Sequence, residues 1–378
     1  MSDSKWNIAI IGAGPAGSVA AIRLAQLGHR VTLFEKARFP RDKVCGECLS
    51  ASGFGVLERL GVAAELEREL KPTRLRSARA VAADGSSNIV QLPETMWGIT
   101  RASMDSALAS VAASAGVEVR FGFGATLSRS ITVPVMPHER DAHDTNQVQL
   151  ATDGRLITFD AVILADGRGS SLSRVEPTGD FGIKSHFRDV DSERDTIELV
   201  ALAEGYAGLA PANDDLWNAA WSVRGSALKQ HGGDVDALFR AAVDRSKHLQ
   251  RRFARATRVG DWLVCPLPRH AVRRAWPRNV IPVGNAAAAL EPVGGEGMGL
   301  AMRSAELAAE AIDAAAHDNR DVDGKALRRQ FDRLWRTRRA ACRGAAMALS
   351  HPWLGPLALG MAGRSPLLTR ASLALIGK

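Results

Sequence analysis

The sequence predicts an α/β protein: a parallel-sheet domain, an α+β domain with a mixed sheet inserted into it, and an apolar helical tail towards the C-terminus. Three observations carry this reading. Residues 8–36 read as strand, glycine turn, amphipathic helix and second strand. Two later apolar strands, at 161–165 and 279–283, each run into a tight polar turn, Asp166-Gly167 and Gly284-Asn285. Between them, residues 181–226 alternate as strands. Strands interleaved with helices make a parallel sheet, and successive alternating strands make a second sheet.

The first unit is specific. Ile8 to Ile11 leads into Gly12-Ala-Gly14-Pro-Ala16-Gly17. Gly12 permits the turn, Gly14 lets a pyrophosphate approach the backbone, and Gly17 lets helix and strand pack closely. Val19, Ala20, Ile22, Leu24, Ala25 and Leu27 form the apolar face of the helix, which Gly28 closes. The second strand, Val31 to Phe34, ends at Glu35-Lys36. The helix N-terminus offers unpaired N–H groups to phosphates, and Glu35 is placed to accept from ribose hydroxyls. This is a Rossmann-like dinucleotide-binding unit, with Gly12, Gly14, Ala16, Gly17, Glu35 and Lys36 as its expected cofactor-binding residues.

The remaining elements follow in order. A helix is expected over Gly53 to Leu60, then a hairpin at 76–92 turning on Asp84-Gly85,. A helix at 102–115 and a strand at Val117–Phe121 return to the first domain. Residues 131–147, with His138 and His143 near acids, read as a polar loop and not as a metal site. In Phe181-Gly-Ile183-Lys184-Ser-His186-Phe187-Arg188, Ile183 and Phe187 share one face, while Lys184, His186 and Arg188 share the other; His186 is read as structural. A helix at 234–247 follows, and Trp262 to Pro268 is expected to re-enter the first domain. The expected division is therefore 1–75, 100–180 and 258–340 for the cofactor domain, 76–99 and 181–257 for the substrate domain, and 341–378 for the tail.

Taken together, the Gly-x-Gly-x-x-Gly unit, Asp166-Gly167, Gly284-Asn285 and the turn Glu291-Pro292-Val-Gly294-Gly295-Glu296-Gly297-Met298-Gly299 resemble the FAD-dependent hydroxylase and geranylgeranyl reductase superfamily, built on the fold of p-hydroxybenzoate hydroxylase. The resemblance covers residues 7 to about 340. It implies FAD as cofactor and NAD(P)H as a transient reductant. It places Asp166 near the pyrophosphate, and Gly284 and Asn285 at the ribityl chain, where the family has an acid and this chain an amide that can still accept. It sets Pro292 through Met298, including Gly295 and Gly297, against the isoalloxazine ring. Helix-start N–H groups there would face the part of the ring that becomes negative on reduction. Arg101 matches the arginine that reaches toward FAD. Pro40-Arg-Asp-Lys43-Val-Cys45-Gly46-Glu47-Cys48-Leu49-Ser50 resembles the Pro-x-x-Lys-x-Cys-Gly-x-x-Leu-Ser loop of geranylgeranyl-reductase-like proteins, which implies that Cys45 lies beside the flavin and Lys43 adds positive charge. Cys45, Pro292, Gly295 and Gly297 are flavin-proximal candidates; no catalytic residue is named.

The four cysteines, Cys45, Cys48, Cys265 and Cys342, do not suggest a disulfide scaffold,. Cys45 and Cys48 form a Cys-x-x-Cys pair, but no second pair completes a zinc site. A flavin-linked redox disulfide is the more serious alternative, and the chain lacks the second glycine fingerprint of disulfide reductases.

The composition, 24% charged and 46% hydrophobic over 378 residues, is that of a globular protein with room for two domains,. The net charge is +8. Basic clusters at 251–255, 269–278 and 328–339 come without aromatic platforms or a reader motif, which argues against nucleic acid. Solvated helix faces explain them, with docking of an acidic carrier protein or an anionic membrane as the functional alternatives. Residues 344–363 carry no Asp, Glu, Lys or Arg, but Pro352, Gly355, Pro356 and Gly360 interrupt them, so the segment reads as a broken helical tail that packs over the substrate domain or meets a membrane surface. No signal peptide is visible, and the expected location is cytoplasmic, with peripheral membrane contact left open.

Motifs sort the reactions this scaffold supports. Flavin halogenases carry Trp-x-Trp-x-Ile-Pro; Trp217-Asn-Ala-Ala-Trp221 has the wrong spacing. Prenyl reductases carry Tyr-x-Trp-x-Phe-Pro and a downstream Gly-x-Gly; Tyr206-Ala-Gly208-Leu-Ala210-Pro211 keeps only the Tyr and Pro. Hydroxylases need mainly a dry, shaped cavity. The sequence therefore points to an FAD-dependent monooxygenase of an aromatic or lipophilic metabolite. Double-bond reduction by a geranylgeranyl-reductase-like enzyme, and modification of a carrier-bound or protein substrate, are the alternatives.

Overall fold

The computed structural model describes residues 5–128, 147–170, 172, 179–267 and 269–350. His138, His143 and the tail beyond Ser350 lie outside these described residues.

The chain opens with β1 (Asn7–Ile11), α1 (Pro15–Gln26) and β2 (Arg30–Glu35). A long loop leads to the two-residue β3 (Cys48–Leu49), then α2 (Ala51–Arg59) and α3 (Ala63–Leu70). The expected hairpin is β4 (Thr73–Val81) and β5 (Ser87–Gly98), with Gly85 in left-handed backbone at its turn. Next come α4 (Arg101–Ser114), β6 (Glu118–Phe121), a small antiparallel sheet of β7 (Ala125–Leu127), β8 (Val148–Thr152) and β9 (Arg155–Phe159), and then β10 (Ala161–Leu164). The alternating region forms β11 (Asp180–Arg188), β12 (Thr196–Leu202), β13 (Gly205–Pro211) and β14 (Trp217–Arg224). After α5 (Gly225–Gln230), α6 (Val235–Arg245) and α7 (Lys247–Phe253), the chain runs through β15 (Thr257–Pro266), β16 (Val280–Pro282), α8 (Gly297–His317) and α9 (Gly324–Ser350).

The first sheet has the order β16-β10-β1-β2-β6, and every pairing is parallel. Its strands are apolar runs because both faces are covered: α1, α4 and α8 pack on one side, and the β7–β9 sheet closes on the other through Phe34, Leu150, Phe159 and Leu164. The second sheet has the order β15-β11-β14-β13-β12-β4-β5-β3 and mixes one parallel pair, β12 with β4, into antiparallel neighbours. One of its faces is a core of Ile183, Phe187, Leu209, Trp217 and Trp221 under α5–α7.

Two local expectations change. The strand at 262–268 does not re-enter the first sheet; it starts at Thr257 and pairs with β11 as the edge of the second. The helix expected over 234–247 is α6, which ends at Arg245, and a separate helix, α7, follows directly over the basic stretch. Ser246 leaves helical geometry and caps α7, its hydroxyl accepting from the Leu249 N–H at 3.3 Å,. Among the described residues no helix is long and apolar enough to cross a membrane. α9 runs through residue 340, where the tail was expected to begin.

Candidate functional site

The glycine turn after β1 is built by close approach. A Cβ on Gly12 would sit 2.5 Å from the Ala165 carbonyl oxygen, and one on Gly17 would sit 1.8 Å from the Gly12 oxygen. Gly14 differs: its imagined Cβ meets only the Arg101 guanidinium at 3.4 Å and that of Arg41 at 4.0 Å. The space in front of Gly14 therefore opens onto positive charge. Ala16 is buried next to Gly284. Glu35 is buried at the end of β2; Oε2 accepts from the Ala13 N–H at 2.9 Å and Oε1 from Ala37 at 3.0 Å. Lys36 is exposed.

Four cations are grouped around this turn and the neighbouring Asp166-Gly167 turn. Arg101, the first residue of α4, binds Asp105 through Nε at 2.9 Å and through its guanidinium at 2.6 Å. Arg41 binds the same carboxylate at 2.9 Å. Arg168 donates to the Val44 carbonyl at 3.0 Å. Lys43 stands 3.0 Å from where a Gly167 Cβ would be, over the Asp166-Gly167 turn, and no hydrogen bond or ion pair holds it among the described residues. Burial first, then Arg101, Arg41 and Arg168, pull its ammonium down to about 8. A half-buried ammonium without an anion is costly. Set among guanidiniums, over an open glycine turn and a helix N-terminus, it fits the pyrophosphate of a dinucleotide. Asp166 is half-buried beside this cluster, and its charge acts on Arg273.

The second glycine turn lies at the start of α8. Gly284 has φ +56 and donates to the Ser304 hydroxyl at 2.9 Å, next to half-buried Asn285. Pro292 is exposed on a single 3-10 turn. Gly295 has φ +67, and a Cβ there would meet Met96 at 2.9 Å and Cys48 at 3.4 Å. Gly297 opens α8, is exposed, and has nothing within 4 Å of its Cβ direction. Met298 is buried in the first domain's core. Glu296 is 3% exposed, and burial, only partly offset by Arg338, raises its carboxyl to about 7. Its Oε2 lies 3.7 Å from Arg338 Nε, and neither atom has a hydrogen bond.

The cysteine loop divides its two thiols. Cys45 is half-buried, accepts from the Glu47 N–H at 3.4 Å and lies next to Arg101. Cys48 packs with Leu75, Met96 and Ala210, and burial drives its thiol far above the usual range. Both are free.

Sequence reasoning missed Glu47, the residue between them. Its backbone is left-handed, φ +57. Oε1 meets the Lys184 ammonium at 2.5 Å and the Arg101 N–H at 2.8 Å, and Oε2 meets His186 Nε2 at 2.7 Å. Asn218 adds a bond from its amide to the Cys45 carbonyl at 3.0 Å. Lys184 and His186 are the polar face of β11, so this network pins the cysteine loop onto the second sheet. Asp42, Glu47 and His186 have the donor types of a metal site. Lys184 Nζ, 3.3 Å from Asp42 and 2.5 Å from Glu47, already supplies the positive charge there.

The same sheet face defines a recess. In register across it stand Leu199, Gly208, Ala220 and Lys184. Leu199, Gly208 and Ala220 are only half-buried. At one side Ala210 packs under Cys48 and Met96. At the other, Tyr206 packs with Val293 of the turn before α8 and with Cys342 and Ala346 of α9. The Tyr206 hydroxyl donates to Glu291 at 3.0 Å, and Arg269 bridges Glu291 and Asp180, each at 2.5 Å. Trp217 and Trp221 point to the opposite face and take no part.

Comparisons with known proteins bear on the family and the fold. A family described as FAD binding domain matches residues 5–324. Menaquinone reductase of Mycolicibacterium smegmatis is 27% identical over 333 residues, covering 82% of this chain and 76% of that protein. Kynurenine 3-monooxygenase of Salinispora arenicola is 28% identical over 359 residues, covering 85% and 75%. The solved structure of the flavin-dependent brominase Bmp2 superposes with a TM-score of 0.81 at 19% identity, covering 99% of this chain and 93% of that one. This last likeness concerns the fold. The chain belongs to the FAD-binding-domain family of flavoproteins, within the FAD-dependent hydroxylase-like superfamily of oxidoreductases.

Proposed function

We propose that the protein is an FAD-dependent monooxygenase that hydroxylates an aromatic or lipophilic metabolite, with electrons from NAD(P)H. The recess over Gly208 and Ala220 carries this reading. Tyr206, Gly208 and Ala210 share one face of β13. Prenyl reductases place Trp and Phe at the last two positions, and small residues here leave width for a ring system. The lining is apolar apart from the Tyr206–Glu291 end and the buried Lys184–Glu47 pair at the opposite edge, and a dry hydroxylation site needs such an apolar surface.

Bound flavin supplies two-electron transfer and, once reduced, reactivity with oxygen. The chain's residues do the holding. Arg41, Lys43 and Arg101, with Arg168 behind them, would neutralise the diphosphate. The α8 N-terminus at Gly297 presents N–H groups to developing negative charge. The Glu47–Lys184 pair keeps the Cys45 loop against the second sheet.

A reductase acting on an isoprenoid or polyene double bond is the second reading. The Lys43-x-Cys45-Gly46 loop and the similarity to menaquinone reductase favour it. The test is NADPH oxidation with a panel of phenols and naphthoquinones, run in air and without oxygen, with labelled oxygen traced into product. Oxygen-dependent turnover with label in the product supports hydroxylation. Equal turnover without oxygen overturns it in favour of reduction.

A further inference from the structure

We propose that the outer face of α9 docks on a membrane containing anionic phospholipid. Lys325, Arg329, Arg333, Arg336, Arg339 and Arg343 are all exposed on this helix, and their three- and four-residue spacings keep them on one side,. The five arginines span about 21 Å along the axis. Asp332 is the one acid among the exposed α9 residues. None of the five arginines closes an ion pair among the described residues. The opposite face, Leu327, Phe331, Trp335, Cys342 and Ala346, is buried.

Charge along the chain is segregated in the same way. The sequence holds 49 Lys and Arg against 41 Asp and Glu, and from Arg333 onward there are 8 bases and no acid. Residues 1–332 are thus neutral overall, and the last 46 residues of this sequence carry the entire +8. The arginine face ends at Met347, 60% exposed, and the sequence after it is rich in Leu and free of acids. A guanidinium pairs with phosphate in bidentate fashion, and an acid-free basic helix face is attracted to anionic lipid. An acidic carrier protein would match the arginines alone. A bilayer takes both the arginines and the apolar run, so the lipid surface is the partner the chemistry favours.

The position has a further meaning, which rests on the lipophilic-substrate reading. The inner face of α9 touches Tyr206 and Val293 at the recess wall. A docked α9 would set the recess one helix diameter, about 10 Å, from the lipid headgroups.

The test is cosedimentation of the full FAD-loaded chain with phosphatidylcholine vesicles, with and without phosphatidylglycerol. The parent should sediment only with the phosphatidylglycerol vesicles and be released by salt. Arg329→Gln/Arg333→Gln/Arg336→Gln/Arg339→Gln/Arg343→Gln should partition on the order of a thousandfold more weakly while keeping its flavin content and melting temperature. Arg251→Gln/Arg255→Gln, which removes exposed charge elsewhere, should bind like the parent. Equal binding to neutral vesicles, undiminished binding of the fivefold variant, or equal losses in both variants would overturn the proposal. So would indifference to vesicles combined with arginine-dependent retention on an acidic carrier protein. Vesicle binding does not depend on turnover, so failure of the monooxygenase reading leaves this result separately readable.

Discussion

Replacing Glu47 by Gln should destabilise the protein far more than an ordinary loop substitution. Glu47 has no exposed surface and Lys184 is 1% exposed, with 2.5 Å between their charged atoms. Gln keeps the shape but leaves the ammonium in low dielectric, with only the exposed Asp42 at 3.3 Å to face it. Breaking such a pair from one side costs about 3–5 kcal/mol. At roughly 2.1 cal/mol/K per residue, a chain of this length loses about 4–6 °C of melting temperature for that penalty. Differential scanning calorimetry of the FAD-loaded chain at fixed pH and scan rate reads it directly. The double variant Glu47→Gln/Lys184→Met, which removes both charges, should regain most of the loss. Flavin retention should fall in the single variant, because the Cys45 loop loses its anchor. A single variant melting within about 1 °C of the parent, or a double variant no better than the single, would refute the reasoning.

Asn285→Asp should bind FAD at least as tightly as the parent, with a gain of at most about 1.5–3 kcal/mol for a charged hydrogen bond; equilibrium dialysis with FAD checks it, and clear loss of affinity would show that the amide serves another arrangement. Cys48→Ser should keep near-normal flavin reduction, whereas Cys45→Ser should be the more damaging, because Cys48 is sealed among Leu75, Met96 and Ala210; stopped-flow reduction by NADPH decides, and equal damage would undercut the placement of Cys45. For Glu296, burial raises the carboxyl from 4.5 to about 7. Its stabilising contribution is therefore full below pH 4.5 and lost as pH rises to about 7, some 3 kcal/mol in all. Melting curves from pH 4.5 to 8 should decline less steeply for Glu296→Gln than for the parent, and parallel profiles would count against that assignment.

The first domain was readable because its signals are local. The turn glycines, the 3.6-residue helix period and the closing Glu35 lie within thirty residues, and each has a single-position steric or electrostatic cause. Gly12 and Gly17 are dictated by contacts of 2.5 and 1.8 Å that no side chain could survive. Glu47 was not readable. Its partners Lys184 and His186 come from a strand more than 130 residues later. The available signal was the pair of ionisable residues two apart on one strand face, which asks for a counter-charge without naming it. Helix α7 was missed together with its cap at Ser246: a Ser at the end of one amphipathic run can start the next. The strand at 257–266 was assigned to the wrong sheet because strand periodicity says nothing about partners.

The interleaving of the two sheets bears on how the protein can be made. β1, β2 and β6 are complete by residue 121, yet the other half of their sheet waits for β10 and for β16 at residues 280–282. On a ribosome, the early half therefore emerges with an open edge along β1. The Glu47 carboxylate emerges well before the lysine that neutralises it. Pairings of such long sequence separation slow folding and lengthen the exposure of unpaired edges. Neither sheet can be excised as one continuous segment, because the strands of each are interrupted in sequence by strands of the other. Heterologous production should accordingly favour slow synthesis with flavin present, because a ligand that binds only the folded chain stabilises it.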